Sequence, residues 1–104
     1  FKGKQWTDAG VRARFVTLFA EQNIPESRLI FEGVSKRQEY FKTYHQVDII
    51  LDTFPYNGGT TTVEALWMGV PVLALAGDTF LSRLGASLLS AVALQDWVAH
   101  SAEE

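Results

Sequence analysis

Short apolar runs alternate with helical segments along these 104 residues, and that alternation predicts an α/β fold. Two further observations refine it. The runs at 47–51 and 70–75 are unbroken rather than alternating apolar and polar, which predicts strands of a parallel sheet buried on both faces, with helices on both sides. The glycine- and threonine-rich loop after Leu51 falls at a strand's carboxyl end, where open parallel sheets bind their ligands.

Taken in order, Phe1–Lys4 reads as the tail of a strand. Thr7-Asp8 can cap a helix with a short polar side chain. Val11, Phe15, Leu18 and Phe19 recur at helical spacing, so that helix is expected to bury one face. It should stop before Ile24-Pro25, because the residue ahead of a proline avoids the α region. Arg28–Phe31 is a short strand candidate. Ser35 is a candidate cap for a second helix reaching about Gln46, with Tyr40, Phe41 and Tyr44 on its buried side. Val47–Leu51 is the clearest strand. The loop 52–59 follows, then a helix over 61–68, which Gly69 can end and Pro71 keeps from resuming. Val70–Leu75 predicts another strand. Ser82–Ala93 and Leu94–His100 both read as helical. No internal repeat, low-complexity tract or linker interrupts the pattern.

Length and composition fit one small domain rather than two, and 47% hydrophobic residues are ordinary for a packed core. A net charge of −3 with no basic face argues against a nucleic-acid partner. With no cysteine, disulfides and thiolate metal sites are excluded. No signal-peptide pattern is visible, and no apolar run approaches the roughly 20 residues of a membrane span. A cytoplasmic location and no membrane partner are therefore expected. The chain begins without Met and stops at Ser101-Ala102-Glu103-Glu104 without a helix stop signal, so it reads as part of a longer protein.

The stretch NGGTTTVE carries the chemistry. Gly58 and Gly59 allow a tight turn and a close approach to a ligand. Thr60, Thr61 and Thr62 then lie at a helix start, where free N–H groups and the positive end of the macrodipole favour an anion such as a phosphate or diphosphate. Glu64 sits one turn in, placed to accept hydrogen bonds from sugar hydroxyls. A second reading stands beside this one: Thr61-x-x-Glu64 fits a capping box, and Gly-Gly can serve only as a turn. The residues leave both open. The loop is neither a Gly-Lys-Ser/Thr phosphate loop nor a G-x-G-x-x-G fingerprint.

The longer stretch VDIILDTFPYNGGTTTVEALWMGVPVLALAGDTFLSRLGASLL resembles the C-terminal catalytic lobe of the O-GlcNAc transferase family, which includes bacterial TPR-containing homologues and the plant SPINDLY proteins. The likeness is densest from Val47 to Leu89 and continues weakly into Asp96–Ala99. It implies a Rossmann-like parallel sheet flanked by helices, part of the C-terminal lobe of a two-lobed GT-B glycosyltransferase. That lobe holds the nucleotide-sugar donor, and the enzyme transfers the sugar to Ser or Thr of an acceptor protein or peptide without a metal ion. The resemblance places Gly59, Thr60 and Thr61 at the diphosphate, Glu64 at the ribose hydroxyls, and Ser35, Arg37 and Tyr40 along the nucleobase. UDP-GlcNAc is the expected donor, with GDP-fucose the alternative because SPINDLY-type proteins use it.

Animal members carry His in place of Gly59 and of Tyr40, Arg in place of Thr43, and Asp in place of Glu64. The Gly and Glu choices look like the bacterial and SPINDLY branches. The family's lysine near the donor phosphates lies upstream of Phe1, as do the first strand of the lobe, the N-terminal lobe and the TPR solenoid. The parent protein is thus expected to be an enzyme, and this piece alone to lack catalytic residues and activity. The missing strand is central in a Rossmann order, so the strands at 28–32 and 47–51 are expected to pair abnormally, or chains to self-associate through the incomplete sheet.

His45 and His100 have no partner pattern for metal or nucleophilic work. Asp52, Asp78 and Thr79 lie on the ligand side, with a turn role the expected one for Asp52. Phe54-Pro55-Tyr56 is expected to pack the loop, with a wall of the donor pocket the alternative. Trp67 and Met68 are expected to join the core, and Arg83 to salt-bridge a helix terminus, with a reach toward the donor the alternative. The competing functional reading is a non-catalytic Rossmann-like module that binds another phosphate ligand or a protein.

Overall fold

Aromatic rings hold the first forty residues together. In the computed structural model, which describes Phe1–Glu104, Phe1 stacks on Phe31 at 5.3 Å and meets Phe15 and Phe19 edge-on at 5.7 and 5.5 Å. Trp6 stands at 89° to Phe15, 4.7 Å away. These tilted and T-shaped pairings suit the ring quadrupoles. Trp6 is the buried centre of this unit, Phe1–Tyr40; a second unit spans Phe41–Glu104.

Helix α1 runs Ala9–Ala20, and Asp8 caps it by accepting the Val11 N–H at 2.9 Å. Thr7 instead closes a 3₁₀ turn over Lys4–Thr7. Phe15 and Phe19 face the ring cluster as expected, but Leu18 is 45% exposed and stands off it. The expected strand at 28–31 does not form. Glu26–Arg28 is a 3₁₀ turn, and the segment beyond contributes one parallel rung, Lys2 with Glu32. A Lys2–Glu32 ion pair at 3.2 Å accompanies that rung. Helix α2, Arg37–Thr43, continues as a 3₁₀ turn through Gln46. Ser35 does not cap it. The first helical bond runs from the Tyr40 N–H to the Lys36 carbonyl, and the Ser35 hydroxyl is buried without a partner.

The second unit is built on three parallel strands in the order β1 (Ile50–Leu51), β2 (Val72–Leu75), β3 (Val98–Ala99). The register sets Ile50 beside Val72, Leu51 beside Leu73, Ala74 beside Val98 and Leu75 beside Ala99. The segment 47–51 was expected to pair abnormally; it pairs in parallel through its last two residues. The expected helix at 94–100 is only a 3₁₀ turn, Gln95–Trp97, followed by β3. Ala93, at φ 61°, breaks the helical path ahead of it.

Helix α3 spans Thr60–Trp67 and α4 spans Leu84–Ala91, each after a strand's carboxyl end. Successive right-handed crossovers along the order β1-β2-β3 place both helices on one face of the sheet. Burial is therefore one-sided, against the expectation of two covered faces. Val72, Ala74, Ala65 and Leu89 are buried, while Leu73 and especially Leu51, 72% exposed, look away. Trp67 is also outside, at 86% exposure. Thr62 and Ala65 define the buried side of α3, and Val63 and Trp67, four apart, share the opposite one. Gly69, at φ 76°, ends α3, with the Val70 N–H reaching back to the Ala65 carbonyl at 2.9 Å.

Candidate functional site

Because the three strands are parallel, the loops leaving β1 and β2 emerge at the same end of the sheet. The first of them is held by its own polar side chains. Asp52, still in the ladder through its N–H to the Leu73 carbonyl, turns Oδ1 to accept the N–H of Thr53 at 2.9 Å and of Gly58 at 2.8 Å. Its Oδ2 is buried without a partner. This is the turn role expected of Asp52. Thr53 Oγ1 donates to the Tyr56 carbonyl, and Phe54-Pro55 is a cis peptide. Phe54 and Tyr56 are 51% and 67% exposed, so they do not pack the loop as expected.

Asn57 is the fully buried member, at 1% exposure. Its N–H donates to the Leu81 carbonyl at 3.2 Å and its Nδ2 to the Thr53 carbonyl at 2.8 Å, and its Oδ1 accepts the Gly85 N–H at 3.1 Å. Gly85 has no room for a side chain. A Cβ there would lie 2.7 Å from Asp52 Oδ2 and 2.8 Å from the Ala74 methyl.

The start of α3 follows directly. A Cβ on Gly58 would lie 2.8 Å from the hydroxyls of both Thr61 and Thr62, so that position demands glycine. Gly59 differs: its nearest neighbour would be Leu84 Cδ2 at 3.4 Å, an ordinary contact. Gly59 is the N-cap of α3 and supplies no side-chain cap, and the first helical bond joins the Val63 N–H to the Gly59 carbonyl at 3.1 Å. The N–H groups of Gly59, Thr60 and Thr61 have no acceptor within the protein. The capping box is therefore absent: with Thr61 as N-cap the helix would begin at Thr62, and it begins two residues earlier, at Thr60. Thr60 and Thr61 are exposed, whereas Thr62 is buried and donates its hydroxyl to the Gly58 carbonyl at 3.0 Å. Glu64, half-buried, lies one turn on, on the same side of the helix as Thr60.

The structure thus gathers Gly59, Thr60, Thr61 and Glu64 on one helix start. Ser35, Arg37 and Tyr40 belong to the first unit, with Arg37 exposed at the first position of α2 and Tyr40 half-buried. Around the β2 loop, Ser82, 2% exposed, exchanges hydrogen bonds with Thr79, and Arg83 Nη1 donates to the Gly77 carbonyl at 3.3 Å, a loop carbonyl rather than the helix terminus expected. His45 lies in the 3₁₀ turn after α2, and His100 follows β3 rather than ending a helix. Sequence reasoning missed Asn57, Ser82 and Gly85. The one available signal was Asn57 just before Gly-Gly, and it is indistinguishable from ordinary turn chemistry.

The sequence model described as glycosyl transferase family 41 matches residues 8–104. A tomato (Solanum lycopersicum) protein described as a probable UDP-N-acetylglucosamine–peptide N-acetylglucosaminyltransferase SPINDLY is 35% identical over 104 residues, 99% of this chain and 11% of its own length. The Arabidopsis thaliana protein SEC, described as the same kind of transferase, is 35% identical over 92 residues, 88% of this chain and 9% of its own. A solved structure of a Thermobaculum terrenum O-GlcNAc transferase mutant superposes with a TM-score of 0.92 at 34% identity, over 98% of this chain and 20% of that one. The chain spans about a tenth of the length of these plant relatives. Its three parallel strands and their helices are part of the GT-B fold of that transferase. The chain belongs to glycosyl transferase family 41.

Proposed function

We propose that this chain is the donor-binding portion of a protein O-glycosyltransferase that moves GlcNAc from UDP-GlcNAc to a Ser or Thr hydroxyl of an acceptor protein or peptide. One observation carries the reading: the uncapped start of α3 behind Gly58-Gly59, where three N–H groups have no acceptor in the protein and two threonines are exposed. Such a start presents positive partial charge and directed donors to an anion. Gly59, Thr60 and Thr61 would hold the diphosphate and Glu64 the ribose hydroxyls. The names of the plant relatives support the donor and the acceptor class.

The chemistry follows from that placement. As the acceptor hydroxyl attacks the anomeric carbon, the bond from that carbon to the diphosphate breaks and negative charge grows on the leaving phosphate. Fixed N–H dipoles aimed at that charge stabilise it without reorganising. The reading assigns no metal ion to this step.

The test is an amide NMR titration of the chain with UDP, GDP and NADH in parallel. Shifts confined to Gly58–Glu64 are expected with UDP, with Glu64→Ala weakening the affinity about tenfold through lost bonds to the ribose. Tighter binding of GDP would move the donor to GDP-fucose. Equal response to NADH would replace the proposal with a general phosphate-binding module, and silence toward all three would remove the site.

A further inference from the structure

We infer that Asn57 is the positioning residue of this loop, fixing the backbone that presents Gly59–Thr61 to the donor diphosphate. The inference rests on the reading of α3's start as the diphosphate site. No other side chain in the loop is as deeply buried. Its three hydrogen bonds point to three different elements: back to Thr53, across to the turn at Leu81, and onto α4 at Gly85, 28 residues away.

The chemistry of the site demands a carboxamide of this length. The Gly85 N–H needs an acceptor and the Thr53 carbonyl needs a donor, and one planar group supplies both. A carboxylate loses the donor, and an apolar isostere leaves two buried backbone groups unpaired. Gly85 completes the fit by having no Cβ where Asp52 and Ala74 close in. One residue on, Asp52 holds the Gly58 N–H. The backbone therefore enters Gly59 from a point anchored on both sides, and the free donors after it stand fixed before any ligand arrives. A loop without that anchor would lose ordering entropy on each binding event.

The role separates from mere stability by two readouts on the chain: UDP affinity by titration, and amide exchange without ligand at Gly58 and Val63. In Asn57→Ala, affinity is expected to fall roughly tenfold or more, with faster exchange at Gly58 and Val63 and unchanged protection across Val72–Leu75. The control, Leu89→Val in the buried core, is expected to lower the melting temperature and leave UDP affinity unchanged. If Asn57→Ala does not fold, the isosteric Asn57→Asp serves. It keeps the acceptor for Gly85 and loses the donor to Thr53, and the same loss of Gly58 protection is expected. Undiminished UDP affinity in the Asn57 variants would overturn the positioning role while leaving the donor site standing. Failure of the parent chain itself to bind UDP or GDP would defeat the donor reading, and the positioning role with it.

Discussion

Gly58 and Gly59 look equivalent on paper and are not. A methyl at position 58 would press on two threonine hydroxyls at 2.8 Å, one of them on buried Thr62, which cannot swing away without losing its bond to the Gly58 carbonyl. At position 59 the same methyl meets one leucine carbon at 3.4 Å. Gly58→Ala should therefore cost about 1–3 kcal/mol by overpacking, and Gly59→Ala clearly less, as thermal unfolding of the two variants will show. Equal losses would mean that the packing at Gly58 does not set its identity. The asymmetry also fits the resemblance noted in the sequence, in which animal O-GlcNAc transferases carry His at the position of Gly59. Residue type told which positions were glycine and which could donate to an anion. It did not tell that Asn57 and Ser82 are buried, because that depends on partners such as Gly85, brought close only by the sheet.

At the next scale, α4 is the element on which the site leans. It carries the buried Leu89 and meets Ala74 of β2 at Gly85, and Gly85 also receives the β1 loop through Asn57. Gly85→Ala should thus act in two places at once. The added methyl meets Ala74 and Asp52 Oδ2, an expected loss of about 1–3 kcal/mol, and amide shifts should move at Ala74 in the strand and at Gly58 in the loop. A change confined to α4 would show that helix and loop are not coupled. The helices and β2 were legible because each carries a periodic or unbroken apolar pattern closed by a cap, a glycine or a proline. The two-residue β3 was not, since so short a segment has no periodicity and Val98-Ala99 becomes a strand only by lying beside Ala74 and Leu75. The segment at 28–32 failed the other way: its apolar residues suit a strand, but a single rung to Lys2 is all the pairing it finds. Trp67 misled because residue type alone does not say which side of α3 the sheet covers.

The parallel α/β class was readable from the order of elements, while the single covered face of the second unit's sheet was not, because it follows from the direction in which β1, β2 and β3 succeed one another. Charge adds a constraint visible only once the units are drawn. Lys42 and Arg83 are the only Lys or Arg of the second unit, against seven Asp and Glu, and Arg83 is bonded to the Gly77 carbonyl. Within this unit, which carries a net negative charge, the donors at the start of α3 are backbone N–H groups and hydroxyls rather than cations. Sites built from lysine and arginine weaken steeply with salt. Here added salt screens the helix-end attraction and the carboxylate repulsion together. Affinity for UDP is therefore expected to change by less than about threefold between roughly 0.05 and 0.5 M NaCl, a range over which the screening length shrinks from more than 10 Å to a few ångströms. Calorimetric titration at the two salt concentrations measures it. A loss of tenfold or more would show that side-chain cations carry the binding, and the diphosphate would then have to be placed elsewhere than on the backbone of Gly59–Thr61.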